Sequence, residues 1–253
     1  MTPAWRRGSV FAMPGPVNQR WRTVVDGVRR AADALLPRRC LACDAGAGAH
    51  ADLCAACLAG LPWIDVACLR CGVPLPAPSD ACGACLARAP PVAATRACLL
   101  YAAPVDGLLP RLKFAGDLAC ARTLGTLMAQ RLRDAPRPDV LVPVPLHAAR
   151  LRSRGFDQAL ELARPLARAL GVPLDAGLLR RTRATAAQSR LDKPARSRNV
   201  RGAFAVARTQ ALPARVALVD DVMTTGATVH AAARALRRAG VGHVEAWVCA
   251  RVP

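Results

Sequence analysis

The sequence predicts an α/β domain on a mostly parallel sheet flanked by helices, with a small metal-stapled module ahead of it. Three observations carry that expectation. From about Ala89 onward, apolar runs of strand length alternate with helical patterns. Before that point, eight of the 11 cysteines fall in one regular array. The hydrophobic content is 53%, yet aromatics are only 4%, so the core must be built from small and branched aliphatics, which suits helices packed on a sheet.

The elements follow in order. Residues 97–101 read as a strand, 118–133 as a helix, 140–144 as a strand and 156–170 as a second helix. Residues 216–219 read as a strand, 227–238 as a helix and 243–250 as a closing strand. Helices of that length between strands imply βαβ units and parallel pairing, and such sheets bind ligands at the carboxyl ends of their strands. Three segments result: a basic extension over 1–36, a cysteine module over 37–90 and the α/β domain over 91–253.

The extension carries basic pairs at Arg6-Arg7 and Arg29-Arg30 but no apolar stretch followed by a small-residue cleavage site, so it does not read as a secretory signal. It reads either as a disordered segment with a start at Met13 or as an amphipathic helix over 21–36. In the second case Val24, Val25, Val28, Ala32 and Leu35 share its apolar face. No apolar run reaches the roughly 18 residues of a membrane span. A cytoplasmic location is expected.

The array comprises Cys40, Cys43, Cys54 and Cys57, then Cys68, Cys71, Cys82 and Cys85. Each set reads C-x2-C, ten residues, C-x2-C, and the second repeats the first at a shift of 28. Each C-x2-C turn brings two sulfurs to one side of the backbone, and two turns complete a tetrahedral four-thiolate shell at about 2.3 Å from zinc. Two structural Zn²⁺ are therefore expected, each held within one repeat. An iron–sulfur cluster, disulfides and thioredoxin-like redox chemistry are weaker fits to four such pairs in a Pro/Gly-rich stretch. His50, inside the first loop, reads as a solvated side chain. Cys98, Cys120 and Cys249 stand alone in apolar or helical patterns and read as buried small hydrophobes.

The formal charge is +19, falling to about +15 if each of two zinc ions meets four thiolates, a loss of about 2 per site. Lysine appears only at Lys113 and Lys193; the remaining cations are Arg, the better fork for phosphate oxygens. A polyanionic partner follows, either a nucleotide-type pyrophosphate or nucleic acid.

The decisive pattern lies where residues 215–219 run into Asp220-Asp221-Val222-Met223-Thr224-Thr225-Gly226-Ala227-Thr228 and then into a helix. A buried strand ends in two carboxylates, followed by hydroxyls, one Gly and a helix N-terminus with its N–H groups and positive dipole end. Thr224, Thr225, Gly226, Ala227 and Thr228 can surround a monoester phosphate, and the paired acids suit the vicinal hydroxyls of a ribose. No G-x4-G-K-[ST] or G-x-G-x-x-G loop is present. The segment resembles the phosphoribosyl pyrophosphate (PRPP) signature of type I phosphoribosyltransferases.

Two further segments point to the same ligand. Pro143-Val144-Pro145-Leu146-His147 ends a strand and is followed by Arg150, Arg152 and Arg154. Residues 180–201 carry eight cations against the single acid Asp192, a composition suited equally to a hood over an anion or to a solvated basic loop.

Taken in order, several motifs resemble the ComF family. These are the cysteine ribbons, Leu112-Lys113-Phe114-Ala115-Gly116-Asp117, Pro-Val-Pro-Leu-His, Arg154-Gly155-Phe156-Asp157-Gln158-Ala159, Arg183-Ala184-Thr185 with Gln188, Arg198 through Phe204, and the acid pair. Asp157 stands where the family pattern leads one to expect Asn, which removes an amide donor. The resemblance implies a type I phosphoribosyltransferase-like fold that binds PRPP with Mg²⁺, and a link to competence and DNA uptake. It places Asp220 and Asp221 at the reacting ribose and Thr224 to Thr228 on the 5-phosphate. Pro143, Val144, Pro145, Leu146, His147, Arg150 and Arg152 would take the pyrophosphate, with Arg183, Gln188 and Arg198 in the hood. Transfer of phosphoribose to a nitrogen acceptor is the reaction it implies. A non-catalytic factor handling single-stranded nucleic acid on the same fold is the alternative.

Overall fold

A computed structural model describes residues 38–47, 52–184, 199–207 and 211–253. The expected extension over 1–36, His50, Gln188 and Arg198 lie outside the described residues.

The described elements begin with two short helices, α1 (Ala55–Ala59) and α2 (Gly83–Ala87), followed by strand β1 (Ala94–Leu100). Helix α3 (Val105–Pro110) passes directly into a π-helical turn over Arg111–Ala115, and then come α4 (Leu118–Leu132), β2 (Val140–Pro143), α5 (Ala148–Arg154) and α6 (Gln158–Leu170). A hairpin of β3 (Leu179–Arg181) and β4 (Phe204–Val206) precedes β5 (Arg215–Met223), α7 (Ala227–Ala239) and β6 (His243–Arg251). The main sheet is parallel throughout, in the order β1, β6, β5, β2, as the alternation of patterns predicts.

Strand parity separates two apolar layers. Ala217 and Val219 of β5 join Trp247 and Cys249 of β6 beneath α4 and α6. Val216 and Leu218 join Val244, Ala246 and Val248 beneath α7. The three isolated cysteines are fully buried on the first of these faces, where they act as small hydrophobes.

Three predicted boundaries change: β1 begins at Ala94 instead of 97, α6 at Gln158 instead of 156, and β5 runs past 219. Residues 216–219 fall in the first half of a longer strand, because β5 continues through the acids to Met223. Its pairing with β6 persists to Val222–Ala250 and Met223–Arg251, whereas its pairing with β2 stops at Val219 opposite Pro143. The acids thus sit on ordered strand backbone beside a notch left by the shorter neighbour, at the carboxyl ends where such sheets bind ligands.

The cysteine module is a structural repeat as well as a sequence repeat. Asp44 and Gly72, 28 positions apart, both take positive φ (63° and 67°). The N–H of each donates to the carbonyl of the first cysteine of its set, at 2.9 and 2.8 Å. The module covers the outer edge of β1: Thr95 N–H donates to Leu69 O at 2.7 Å, Leu100 N–H to Pro62 O at 2.8 Å, and Ile64 N–H to Cys98 O at 3.0 Å. An edge strand is thereby closed to foreign pairing. Leu53 and Leu61 of the module bury themselves in the layer that holds Leu99 and Leu124.

Candidate functional site

The metal centres are the simpler part. The sulfurs of Cys40, Cys43, Cys54 and Cys57 lie within 4.8 Å of one another, and so do those of Cys68, Cys71, Cys82 and Cys85. Each set comes from a single repeat, as expected. Cys43 Sγ to Cys54 Sγ and Cys71 Sγ to Cys82 Sγ are both 3.7 Å, close to the edge of about 3.8 Å of a tetrahedron with 2.3 Å arms. Burial pushes the Cys40 thiol up, but backbone amides of Cys54, Ala42 and Cys43 outweigh it and bring it down to about 6. The donor set therefore fits two closed zinc sites with no position left for a substrate. These two tetrads are the only groups of three or more potential metal ligands among the described residues.

The ligand-binding candidate is a cavity of about 730 Å³ at the carboxyl ends of β2 and β5, within the range of small-molecule sites. Asp220, Asp221 and every residue from Val222 to Val229 line it, together with Val144, Pro145, Leu146, Arg150, Arg154, Arg181, Lys113 and Phe114.

Both acids are buried, at 8% and 3% exposure. Asp220 Oδ1 accepts the Asp221 N–H at 2.9 Å. Lys113 Nζ stands 2.5 Å from Asp221 Oδ2. Burial pushes the Asp220 carboxyl well above the usual range, the Asp221 charge adds to this, and the Lys113 ammonium offsets only part of it. Burial opposes the Lys113 charge, yet Asp221 and then Asp220 hold its pKa above the ordinary lysine value.

The turn after β5 is shaped by Gly226 at φ 74°, a conformation that disfavours side chains. A Cβ there would lie 2.6 Å from Met223 Cε and 2.7 Å from His230 Cε1. Gly226 opens α7 without a capping side chain, so the first-turn amides must find partners in the loop or on a ligand; the Ala227 N–H reaches Thr225 Oγ1 at a long 3.4 Å. Behind the turn, buried Arg251 donates through Nη1 to the Met223 and Thr224 carbonyls at 3.1 and 2.6 Å, and through Nε to Cys71 O at 3.1 Å. One side chain thus ties the second cysteine set to the turn.

Opposite, Pro143 completes β2 while Val144, Pro145 and Leu146 form the lip of the cavity. Asp157 fixes that lip, and this revises the sequence reading of a lost donor. Its Oδ2 accepts the Leu146 N–H at 2.8 Å and its Oδ1 accepts Ala159 and Leu160 N–H at 3.0 and 3.3 Å. Only acceptors are used here, so a carboxylate serves.

His147 turns away to cap α5, its Nδ1 accepting the Ala149 N–H at 3.2 Å, and it lines a smaller adjoining depression with Arg150 and Arg181. Arg150 and Arg154 face the cavity; Arg152 is exposed and does not line it. Arg183 donates to the Asn199 and Arg201 carbonyls at 3.1 and 2.6 Å. Burial followed by the Arg150 charge pulls Arg181 below its ordinary value, and burial does the same to Arg154. Positive charge is concentrated here under an electrostatic cost that an incoming anion would relieve.

The sequence does not assign Lys113, Phe114 or Arg251 to the site, and it offers Arg181 only as one of the cations over 180–201. Lys113 and Phe114 carry a signal through the Leu112 to Asp117 motif, and Lys113 a further one as one of two lysines in a chain that otherwise uses Arg.

His230 gives a pH prediction. Burial, then Arg234 and Arg251, push its imidazole down to about 4. A histidine held neutral by the fold contributes stability that is present above its unfolded pKa near 6.5 and lost as pH falls toward 4. The loss over that window is about 3 kcal/mol, and urea melts at pH 7 and 4.5 should show His230→Gln losing less stability on acidification than the parent.

A central parallel strand that carries buried paired acids near its carboxyl end and turns through Thr-Thr-Gly into a helix defines a class, and the comparisons agree with it. Residues 118–253 match the phosphoribosyl transferase domain, and residues 31–86 match the double zinc ribbon domain. Competence protein F of Haemophilus influenzae is 36% identical over 159 residues, covering 60% of this chain and 69% of its own. The DNA utilization protein YhgH of Escherichia coli is 38% identical over 160 residues, with the same coverage of both chains. Competence protein ComFC of Streptococcus pneumoniae is 26% identical over 157 residues, covering 62% of this chain and 67% of its own. The chain belongs to the ComF family, a phosphoribosyl transferase domain behind a double zinc ribbon. Among the described residues no helix is long and apolar enough to cross a membrane.

Proposed function

We propose that the chain binds PRPP, or a close phosphoribosyl analogue, in the 730 Å³ cavity, and transfers the phosphoribosyl group to a nitrogen acceptor. The observation that carries this reading is that Asp220, Asp221 and the Thr224 to Thr228 turn line one cavity together with Arg150 and Arg181. An arrangement of acids, phosphate-type amides and cations in that order matches ribose hydroxyls, 5-phosphate and pyrophosphate.

In the reaction, the bond from the anomeric carbon to pyrophosphate breaks as a C–N bond forms, and the acceptor nitrogen releases a proton to solvent. The acids align the sugar, and the guanidinium groups collect charge on the departing pyrophosphate. Mg²⁺ would neutralise pyrophosphate charge when bound. The acid pair does not suit it as a direct shell, since Asp221 already holds Lys113 at 2.5 Å. Mg²⁺ therefore belongs with the ligand.

The charge of +19 and the relatives named for competence and DNA utilization favour a second reading, in which the same surface handles single-stranded nucleic acid. A thermal-shift series separates the two. PRPP with Mg²⁺ should raise the melting temperature by several degrees at a hundredfold excess over its Kd, because a ligand of the folded form stabilises it by about 2.7 kcal/mol at that excess. Ribose 5-phosphate should raise it less. Stabilisation by oligonucleotide alone, indifferent to PRPP and to Asp220→Ala/Asp221→Ala, overturns the phosphoribosyl reading in favour of the second.

A further inference from the structure

Phe114 is 79% exposed, more than any other large hydrophobic side chain among the described residues, and it stands on the wall of the cavity. A large apolar ring held in water is informative because folding gains nothing by placing it there. Its backbone is not a loose loop. Phe114 lies in the π-helical turn over Arg111–Ala115, which Gly116 ends at φ 69°, and such turns recur at functional sites. The preceding residue is Lys113, anchored 2.5 Å from Asp221 Oδ2. The ring is thereby presented from a fixed point beside the acid pair.

Arg154 places its guanidinium carbon 5.8 Å from the Phe114 ring centroid and donates through Nη1 to Gln158 Oε1 at 2.5 Å. Half-buried Phe156 backs the same wall, its Cε1 3.6 Å from where a Cβ on Gly116 would lie. An exposed aromatic ring with a guanidinium over it is a surface on which flat heterocycles stack, either on the ring or on the guanidinium plane.

We infer that Phe114 forms, with Arg154, a stacking subsite for a planar nitrogen heterocycle of the nucleobase type, held beside the sugar site. The inference rests on the phosphoribosyl reading and names the acceptor class for it. The heterocycle has two possible sources, a free base or a base carried on a single strand.

The test uses the full zinc-loaded chain saturated with PRPP, titrated in a calorimeter with adenine, guanine, cytosine and uracil. Separate titrations use a short thymidine oligomer and an abasic oligomer of equal length. Phe114→Ala should weaken the bound heterocycle about tenfold, the scale of one base stacked on one aromatic ring. Phe114→Trp should restore it to within about twofold, and PRPP affinity should stay within about twofold in both variants. Binding of a free base identifies that source. Binding confined to the base-bearing oligomer, and absent from the abasic one, identifies the strand. If no heterocycle binds in either form, or Phe114→Ala binds as the parent does, the subsite is wrong. A parent chain that fails to bind PRPP counts against the phosphoribosyl reading, whereas normal PRPP binding with a Phe114-insensitive base counts against the ring alone.

Discussion

Asp221→Asn should lower PRPP affinity at least tenfold and destabilise the free protein, while Asp220→Asn should cause the same loss of affinity with a gain in stability. With the ligand bound each acid would act as an ionised acceptor of ribose hydroxyls, Asp220 giving up its proton on binding, and removing a charged partner of this kind costs about 1.5–3 kcal/mol. Their effects on the fold differ because only Asp221 carries the direct ion pair, with Lys113 Nζ at 2.5 Å and exposures of 25% and 5%. Stranding that ammonium costs about 3 kcal/mol, the low end of the range for a broken buried pair because Lys113 keeps some solvent. Lys113→Met should relieve part of this when combined with Asp221→Asn, without restoring PRPP binding.

Asp220 behaves oppositely. Burial, then the Asp221 charge, raises its pKa far above the ordinary carboxylate value. The folded chain therefore holds a proton that the unfolded chain releases near pH 4, and stability falls as pH rises from that value. A neutral Asn at 220 has no such proton, so denaturant melts should show it more stable than the parent at pH 8, with the advantage shrinking toward pH 4. An Asp220→Asn protein that is less stable at pH 8 and still binds PRPP would contradict this account of the acid pair.

Removing zinc is the second large effect. The ribbon is not an appendage: its carbonyls accept the Thr95 and Leu100 N–H groups of β1, and Leu53 and Leu61 share a core with Leu99 and Leu124. Arg122 adds an ion pair to Asp52 at 2.7 Å, and Arg131 donates to Ile64 O at 2.6 Å. Free energy of metal binding in closed thiolate sites is folding free energy. Chelation should therefore lower the melting temperature of the whole chain by more than about 10 °C, at roughly 2–4 °C per kcal/mol for a chain of this size. Calorimetry should record one transition. PRPP affinity should fall too, since Arg251 loses a fixed Cys71 carbonyl behind the Thr224 turn. A separate low-temperature transition that leaves the main one unmoved would show the two parts to be independent.

How much of this was legible in the chain depended on whether the signal was local. Helices α4 and α6 announce themselves through capping acids, since Asp117 and Asp157 accept first-turn amides, and α6 and α7 end at Gly171 and Gly240 in the left-handed region. The cysteine spacing repeats a backbone turn, so its geometry could be read directly. By contrast, Pro110 and the π-helical turn break the period over 105–115, which hid the segment that delivers Lys113 and Phe114. The β3–β4 hairpin escaped because its strands have three residues each and pair Leu179 with distant Val206. The motif marks the acids, but the apolar run shows only the first part of the strand that carries them, because the unequal lengths of β2 and β6 decide where β5 loses a neighbour. Arg251 was invisible, as its partners are carbonyls 27 and 180 positions away.

The central claim is that the segment from Asp220 to Thr228 cradles a phosphorylated pentose, and a crystal structure of the chain soaked with PRPP and Mg²⁺ tests it most directly. The account predicts the 5-phosphate within hydrogen-bond distance of the amides between Thr225 and Thr228, with ribose hydroxyls on Asp220 and Asp221. Density for the phosphate only in the His147–Arg181 depression, with the acids still engaged by Lys113 alone, would contradict it.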